Sequence, residues 1–206
     1  MNKNIKGNMG YLEKQMQREL FGTLLLFASA FGVLLIGIII AGTKNNLLTI
    51  VAVLGLLPAS KELITCIMFA KAKKHSCPQA LYDGVQEVIA PDESRSGEHD
   101  QDGAEDCLLV VYDLYMTAQE NNYPILSMCC RNKTLIGIAE WKKFDYKKAE
   151  DHIQIMLKQN GHKNVAVKIF SEQEMYISRI RELNEQKAKN AEEDQAILRL
   201  MLNLSL

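Results

Sequence analysis

The sequence predicts an α+β protein in two parts, an N-terminal transmembrane helical hairpin followed by a cytosolic domain of order α-β-β-β-α-β-α. Three observations carry this prediction. Leu20 to Ala41 carries no charge, and a second apolar run, Leu47 to Ala70, follows after five residues. Charge is concentrated after Lys71, so the two parts call for different solvents. Beyond residue 106, short Val-, Ile-, Leu- and Tyr-rich runs give way to helical periodicity. The expected boundaries are 1–19 for a cytosolic N-terminal segment, 20–70 for the hairpin, and 71–106 for a juxtamembrane helix and acidic flexible loop. Residues 107–187 form the α+β domain and 188–206 a helical tail.

Each of the two apolar runs is close to the roughly 20 residues that cross a bilayer core. The first is too long for the apolar region of a cleaved signal peptide. Lys3, Lys6, Lys14 and Arg18 precede the first span and Lys71, Lys73 and Lys74 follow the second, with Lys44 alone between them. The positive-inside rule then places both termini in the cytoplasm, in a multi-pass protein of the plasma membrane. Ending the second helix at Pro58 leaves it too short to cross, so the span is read through to Ala70. That reading puts Ser60, Lys61 and Glu62 inside or near the inner interface as the intramembrane polar group. Lys61 is within snorkelling reach of the cytoplasmic headgroups, and the functional alternative is a helix-pairing contact. Ala28 and Gly32, four apart, would allow close helix approach, a spacing that also arises by chance in Gly- and Ala-rich spans.

Gln79 to Ala90 spaces Leu81, Val85, Val88 and Ile89 as a short amphipathic helix, lying on the membrane or opening the domain. Pro91 to Asp106 is acidic and lacks large apolar residues, which predicts a flexible loop. Glu98, Asp100 and Asp102 imitate part of a calcium loop, but the twelfth position is Leu109 where a bidentate Glu is required. Three strands follow, Cys107 to Met116, Pro124 to Arg131 and Thr134 to Glu140. Turns at Asn121-Asn122 and Asn132-Lys133 make them an antiparallel meander. Asp145 caps a helix running to Asn160, with Ala149, Ile153, Met156 and Leu157 on one face. A fourth strand runs from Val165 to Phe170, and Ser171 with Glu174 forms a capping box for a helix buried through Ile177, Ile180 and Leu183. Ala196 to Leu206 is apolar enough to pack on the domain, a partner or the bilayer.

A net charge of −1 argues against nucleic acid as a partner, because phosphate contacts need a clustered basic surface. Five cysteines, two of them adjacent, are no disulfide framework and fit a reducing compartment. Cys129 and Cys130 point to opposite faces of their strand, one buried and the other partly exposed. No His or Cys pair has metal-ligand spacing, and no Gly-rich loop follows a strand, so neither metal nor cofactor is expected.

The element order is also that of restriction-endonuclease-like nucleases, and Glu140-Trp141-Lys142 resembles their Glu-x-Lys element. That resemblance implies a carboxylate pair on Mg²⁺, with the Lys orienting the attacking water. The chain departs from the pattern where the acidic partner is due: Tyr123-Pro124-Ile125 opens the second strand, and Asp113 lies on the preceding one. A degenerate hydrolase would therefore use Asp113, Glu140 and Lys142. Over most of its length the layout resembles uncharacterised bacterial membrane proteins with two transmembrane helices, a Leu-Pro-x-x-Lys element, here Leu57-Pro58-Ala59-Ser60-Lys61, and a compact cytosolic α+β domain. That resemblance brings no activity with it. The leading expectation is a non-enzymatic interaction or scaffold module tethered to the inner leaflet. Its partners are the lipid bilayer and either an integral membrane protein or a second copy of itself. The membrane-anchored hydrolase is the alternative.

Overall fold

The computed structural model describes residues 5–43, 46–90, 108–118, 121–141 and 143–206. Lys3, the turn residues Lys44 and Asn45, the acidic stretch 91–106, Cys107 and Lys142, on which several expectations fall, lie outside the described residues. Two compact units are present: the helical pair Tyr11–Lys74, and a mixed domain formed by the segment up to Gly10 together with His75–Leu206. Among the described residues there are six helices and one four-stranded mixed sheet.

In the first unit, α1 (Tyr11–Ala41) and α2 (Leu47–Lys73) pack side by side, and both are long and apolar enough to cross a membrane. Asn46 shapes the turn between them. Its side-chain oxygen caps α2 by accepting from Thr49 N–H at 2.9 Å, and its amide donates to Gly37 O at 2.9 Å. The seam between the helices follows a seven-residue repeat of small side chains, Thr23, Ala30 and Gly37 on α1 against Ala52, Ala59 and Cys66 on α2. A Cβ at Gly37 would come within 2.8 Å of Leu48 Cβ, so the close approach is made here. The pair Ala28 and Gly32 is off the seam: Ala28 is exposed, and a Cβ added at Gly32 meets nothing within 4 Å. At 100° per residue, Ala28 stands far round the helix from Ala30. Helix α2 continues through Pro58.

In the second unit the strands β1 (Val110–Thr117), β2 (Asn122–Arg131), β3 (Thr134–Ile138) and β4 (Ala166–Phe170) lie in the order β1-β2-β3-β4. The first three form an antiparallel meander, and β4 runs parallel to β3. The β2–β3 turn has Asn132 and Lys133 at φ 52° and 62°, the positive pair that a two-residue type I′ hairpin requires. Pro124 is tolerated because β3 pairs with β2 only from Ser127 onward. Helix α3 (Gln79–Ile89) and α5 (Gln173–Asn184) cover one face of the sheet, burying Leu81, Val85, Tyr176, Ile180 and Leu183. Helix α4 (Tyr146–Gln159) and α6 (Ala191–Leu204) cover the other, burying Ala149, Ile153, Leu157, Ile197, Leu198 and Met201.

Coverage on both sides corrects one reading and decides between alternatives in two others. Cys129 and Cys130 do face opposite ways, yet both are buried, because neither face of β2 meets water. Helix α3 belongs to the domain core, and the C-terminal tail forms α6 against β1 and β2. The capping box at Ser171 is not formed: α5 starts at Gln173 with Glu172 at the cap and no side-chain cap bond, since β4 pairs through Phe170. In α4, Asp145 caps as expected by accepting from Lys148 N–H at 3.1 Å.

Candidate functional site

Asp113 has φ 57° in the middle of β1, a left-handed conformation that Asn and Asp tolerate better than most residues. It shifts the phase of the strand. Strict alternation would put Val111 and Leu114 on opposite faces, yet both join the face covered by α4 and α6. On the partner strand Ile125 and Met128 make the same switch, so the register stays in step on either side of Asp113.

The carboxylate released by this kink is 3% exposed and accepts two main-chain N–H groups. Its Oδ2 accepts from Gly10 at 2.7 Å and its Oδ1 from Cys77 at 2.7 Å. Gly10 is the last residue before α1, and Cys77 comes shortly after α2, so one side chain ties down both chain ends that lead to the helical pair. The neighbouring main chain reinforces the N-terminal end, where Tyr112 N–H donates to Gly7 O at 2.7 Å. Gly7 has φ 92°, and a Cβ there would fall 2.9 Å from Leu202, so glycine is required. Lys6 Nζ donates to Ser205 O at 2.7 Å, and burial holds its pKa below the ordinary lysine value.

The second chain end is equally enclosed. Cys77 is buried among Leu81, Val85 and Tyr112, and burial, with the nearby Asp113 and Glu140 charges, pushes its thiol up to about 12. Burial likewise pushes the Tyr112 phenol up to about 12, against the hydrogen bond its oxygen accepts from Gln86 Nε2 at 3.1 Å. A thiol held in its neutral form is a poor nucleophile. His75 packs its ring on Trp141 with centroids 4.8 Å apart.

These contacts place the residues of the hydrolase reading. Asp113 and Glu140 are both close enough to Cys77 to act on it electrostatically, Glu140 is exposed just beyond β3, and Lys142 lies outside the described residues. Among the described residues no group of three or more His, Cys, Asp or Glu is arranged to hold a metal. A second buried aspartate, Asp194 of α6, accepts from Asn132 N–H at 2.8 Å and Lys133 N–H at 3.1 Å, pinning the β2–β3 turn as Asp113 pins the chain ends. An open groove beside α4 is lined by Tyr123, Lys148, Asp151 and His152.

The polar group of α2 fans out around the helix. Ser60 is exposed and its hydroxyl donates to Leu57 O at 2.8 Å, and Lys61 is exposed too. Of the three, Glu62 alone is half-buried, and nearby on α1 the Glu19 carboxylate accepts from Gln15 Nε2 at 2.6 Å. Glu19 was overlooked because it stands one residue before the uncharged run. Its signal is the spacing of seven from both Leu12 and Leu26. At the base of the pair, Lys73 meets Glu13 at 2.7 Å. Comparison of this chain with protein families, with curated proteins and with solved structures gives no match.

Proposed function

We propose that this chain is a membrane-tethered interaction module, in which α1 and α2 cross the bilayer as a hairpin and hold the mixed domain at the cytoplasmic face. The observation that carries the reading is the pair of hydrogen bonds that Asp113 accepts from Gly10 and Cys77. A flexible tether needs no buried carboxylate joining its two ends to the domain. Two side-by-side helices whose exterior is Leu, Ile, Val and Phe find their solvent in lipid. Lys14, Arg18, Lys71, Lys73 and Lys74 on the termini side favour the cytoplasm. Ser60 and Lys61, exposed on α2, provide the polar contact for an integral partner or a second copy, since a two-helix anchor buries little of its own surface.

The competing reading, a metal-dependent hydrolase at Asp113, Glu140 and Lys142, asks Asp113 to bind a metal while both its oxygens accept main-chain N–H groups. The test uses the full chain in native membranes. Resistance to alkaline carbonate and protection of a C-terminal tag from external protease are expected, as is self-association in nanodiscs that Lys61→Leu weakens. Release by carbonate overturns the anchor, and a strictly monomeric wild type with no integral partner overturns the assembly role. Mg²⁺-dependent nuclease activity lost in Glu140→Gln would favour the hydrolase.

A further inference from the structure

We infer that the Trp141 connection between β3 and α4 is a membrane-interface contact of the domain, seated in the headgroup layer of anionic phospholipid. The inference rests on the anchor reading above and adds to it a second point of attachment.

Three observations converge on this loop. Trp141 is 40% exposed, one of few large apolar side chains in the domain left in that state. Neighbouring apolar groups show that the domain can bury such a side chain, since Phe144, three residues on, is 8% exposed. Its one recorded ring partner is His75, at 4.8 Å between centroids. His75 directly follows Lys74 and stands two residues beyond the end of α2. At about 3.8 Å per residue, the indole cannot be more than on the order of 15 Å from the last turn of that helix. If α2 ends at a cytoplasmic membrane surface, the chain therefore leaves the indole within reach of the depth where tryptophan, apolar in body and polar at its N–H, is most at home.

Charge points the same way. Lys71, Lys73 and Lys74 close α2, and Lys143 and Lys147, both exposed, follow Trp141 through the start of α4. Clustered lysines near a membrane surface are attracted to an anionic leaflet. An aromatic residue next to such a cluster anchors by partition while the lysines anchor by charge.

Trp141 is the only tryptophan in the chain, so the unmodified protein carries its own probe. The full chain is placed in nanodiscs of phosphatidylcholine with phosphatidylglycerol, brominated either near the headgroup or at the acyl-chain end. Loss of Trp141 fluorescence is expected to be large with the shallow bromine and small with the deep one. It should be greater with phosphatidylglycerol than in phosphatidylcholine alone, and reduced by Lys143→Gln/Lys147→Gln. Carbonate extraction of the same protein is the companion measurement. Retention in the membrane with no quenching by either lipid, and full access of the indole to aqueous iodide, would overturn the inference and leave the anchor standing. Release from the membrane would instead overturn the anchor reading. Equal quenching with and without phosphatidylglycerol would overturn the role given to the lysines.

Discussion

The helical pair and the mixed domain use the same apolar residues in opposite ways. In the domain, Leu, Ile, Met and Tyr fill two layers, one on each face of the sheet, and are nearly all excluded from solvent. In the helical pair the interface is made of Thr23, Ala30, Gly37, Ala52 and Ala59, while Leu25, Ile39, Leu54 and Leu57 point outward. All the large exposed hydrophobics among the described residues except Ile5, Leu109, Trp141, Ile155 and Met175 belong to the helical pair. The difference teaches that the large apolar side chains are buried in one region and face outward in the other, where small residues make the contact. Small residues build the contact wherever packing, and not the hydrophobic effect, must hold helices together.

The sharpest way to break this division is at the joint. Asp113→Ala removes the acceptor for two buried N–H groups, and at about 1.5–3 kcal/mol for each hydrogen bond to a charged group the loss should be about 3–6 kcal/mol. Urea unfolding followed by Trp141 fluorescence in mild detergent reads it. Asp113→Asn, which keeps the left-handed preference, should recover part of the loss, and a change below about 1 kcal/mol in the alanine variant would deny the joint its role.

Next in size is the same substitution made in each region. Leu157→Ala, at a side chain 1% exposed in α4, should destabilise the domain by about 2–5 kcal/mol. Leu57→Ala, at a side chain 66% exposed in α2, should leave the urea midpoint where it was. Comparable losses would mean that the helical pair is folded against protein and not against lipid. A charge sharpens the contrast from the other side. Leu54→Arg, on the outer surface of α2, should weaken membrane insertion by about 2.5–3.5 kcal/mol, seen as protein released by carbonate, while the domain keeps its unfolding curve.

The smallest effect is on pH. Burial raises the thiols of Cys77 and Cys129 from 9.0 to about 12 and the phenol of Tyr112 from 10.0 to about 12. In the window from about 9 to 12 the folded chain keeps protons that the unfolded chain has lost, so stability is complete below that window and declines through it. Denaturation midpoints should be flat from neutrality to about pH 9 and fall beyond it, and alkylation of Cys77 and Cys129 at neutral pH should be slow until urea is added. Rapid labelling of Cys129 in the folded protein would contradict its burial.

Much of this was legible from residue order. The two apolar runs mark two helices long and apolar enough to cross a membrane, because length and composition alone decide that. The apolar runs of β2 and β3, the Asn132-Lys133 turn and the Asp145 cap are local, each set by a few neighbouring residues. Other features were beyond local reading. That Cys129 and Cys130 are both buried depends on α5 and α6, which lie more than forty residues downstream and close both faces of the sheet. The seam at Ala30 and Gly37 depends on which face of α1 meets α2, a choice that many small residues in the span could satisfy. Asp113 is the clearest case. In sequence it is a carboxylate in an apolar strand, read as a candidate metal ligand. Only the tertiary structure brings Gly10, 103 residues away, and Cys77, 36 away, to its two oxygens, because a buried charge is stabilised by donors that the fold gathers and no sequence neighbour supplies.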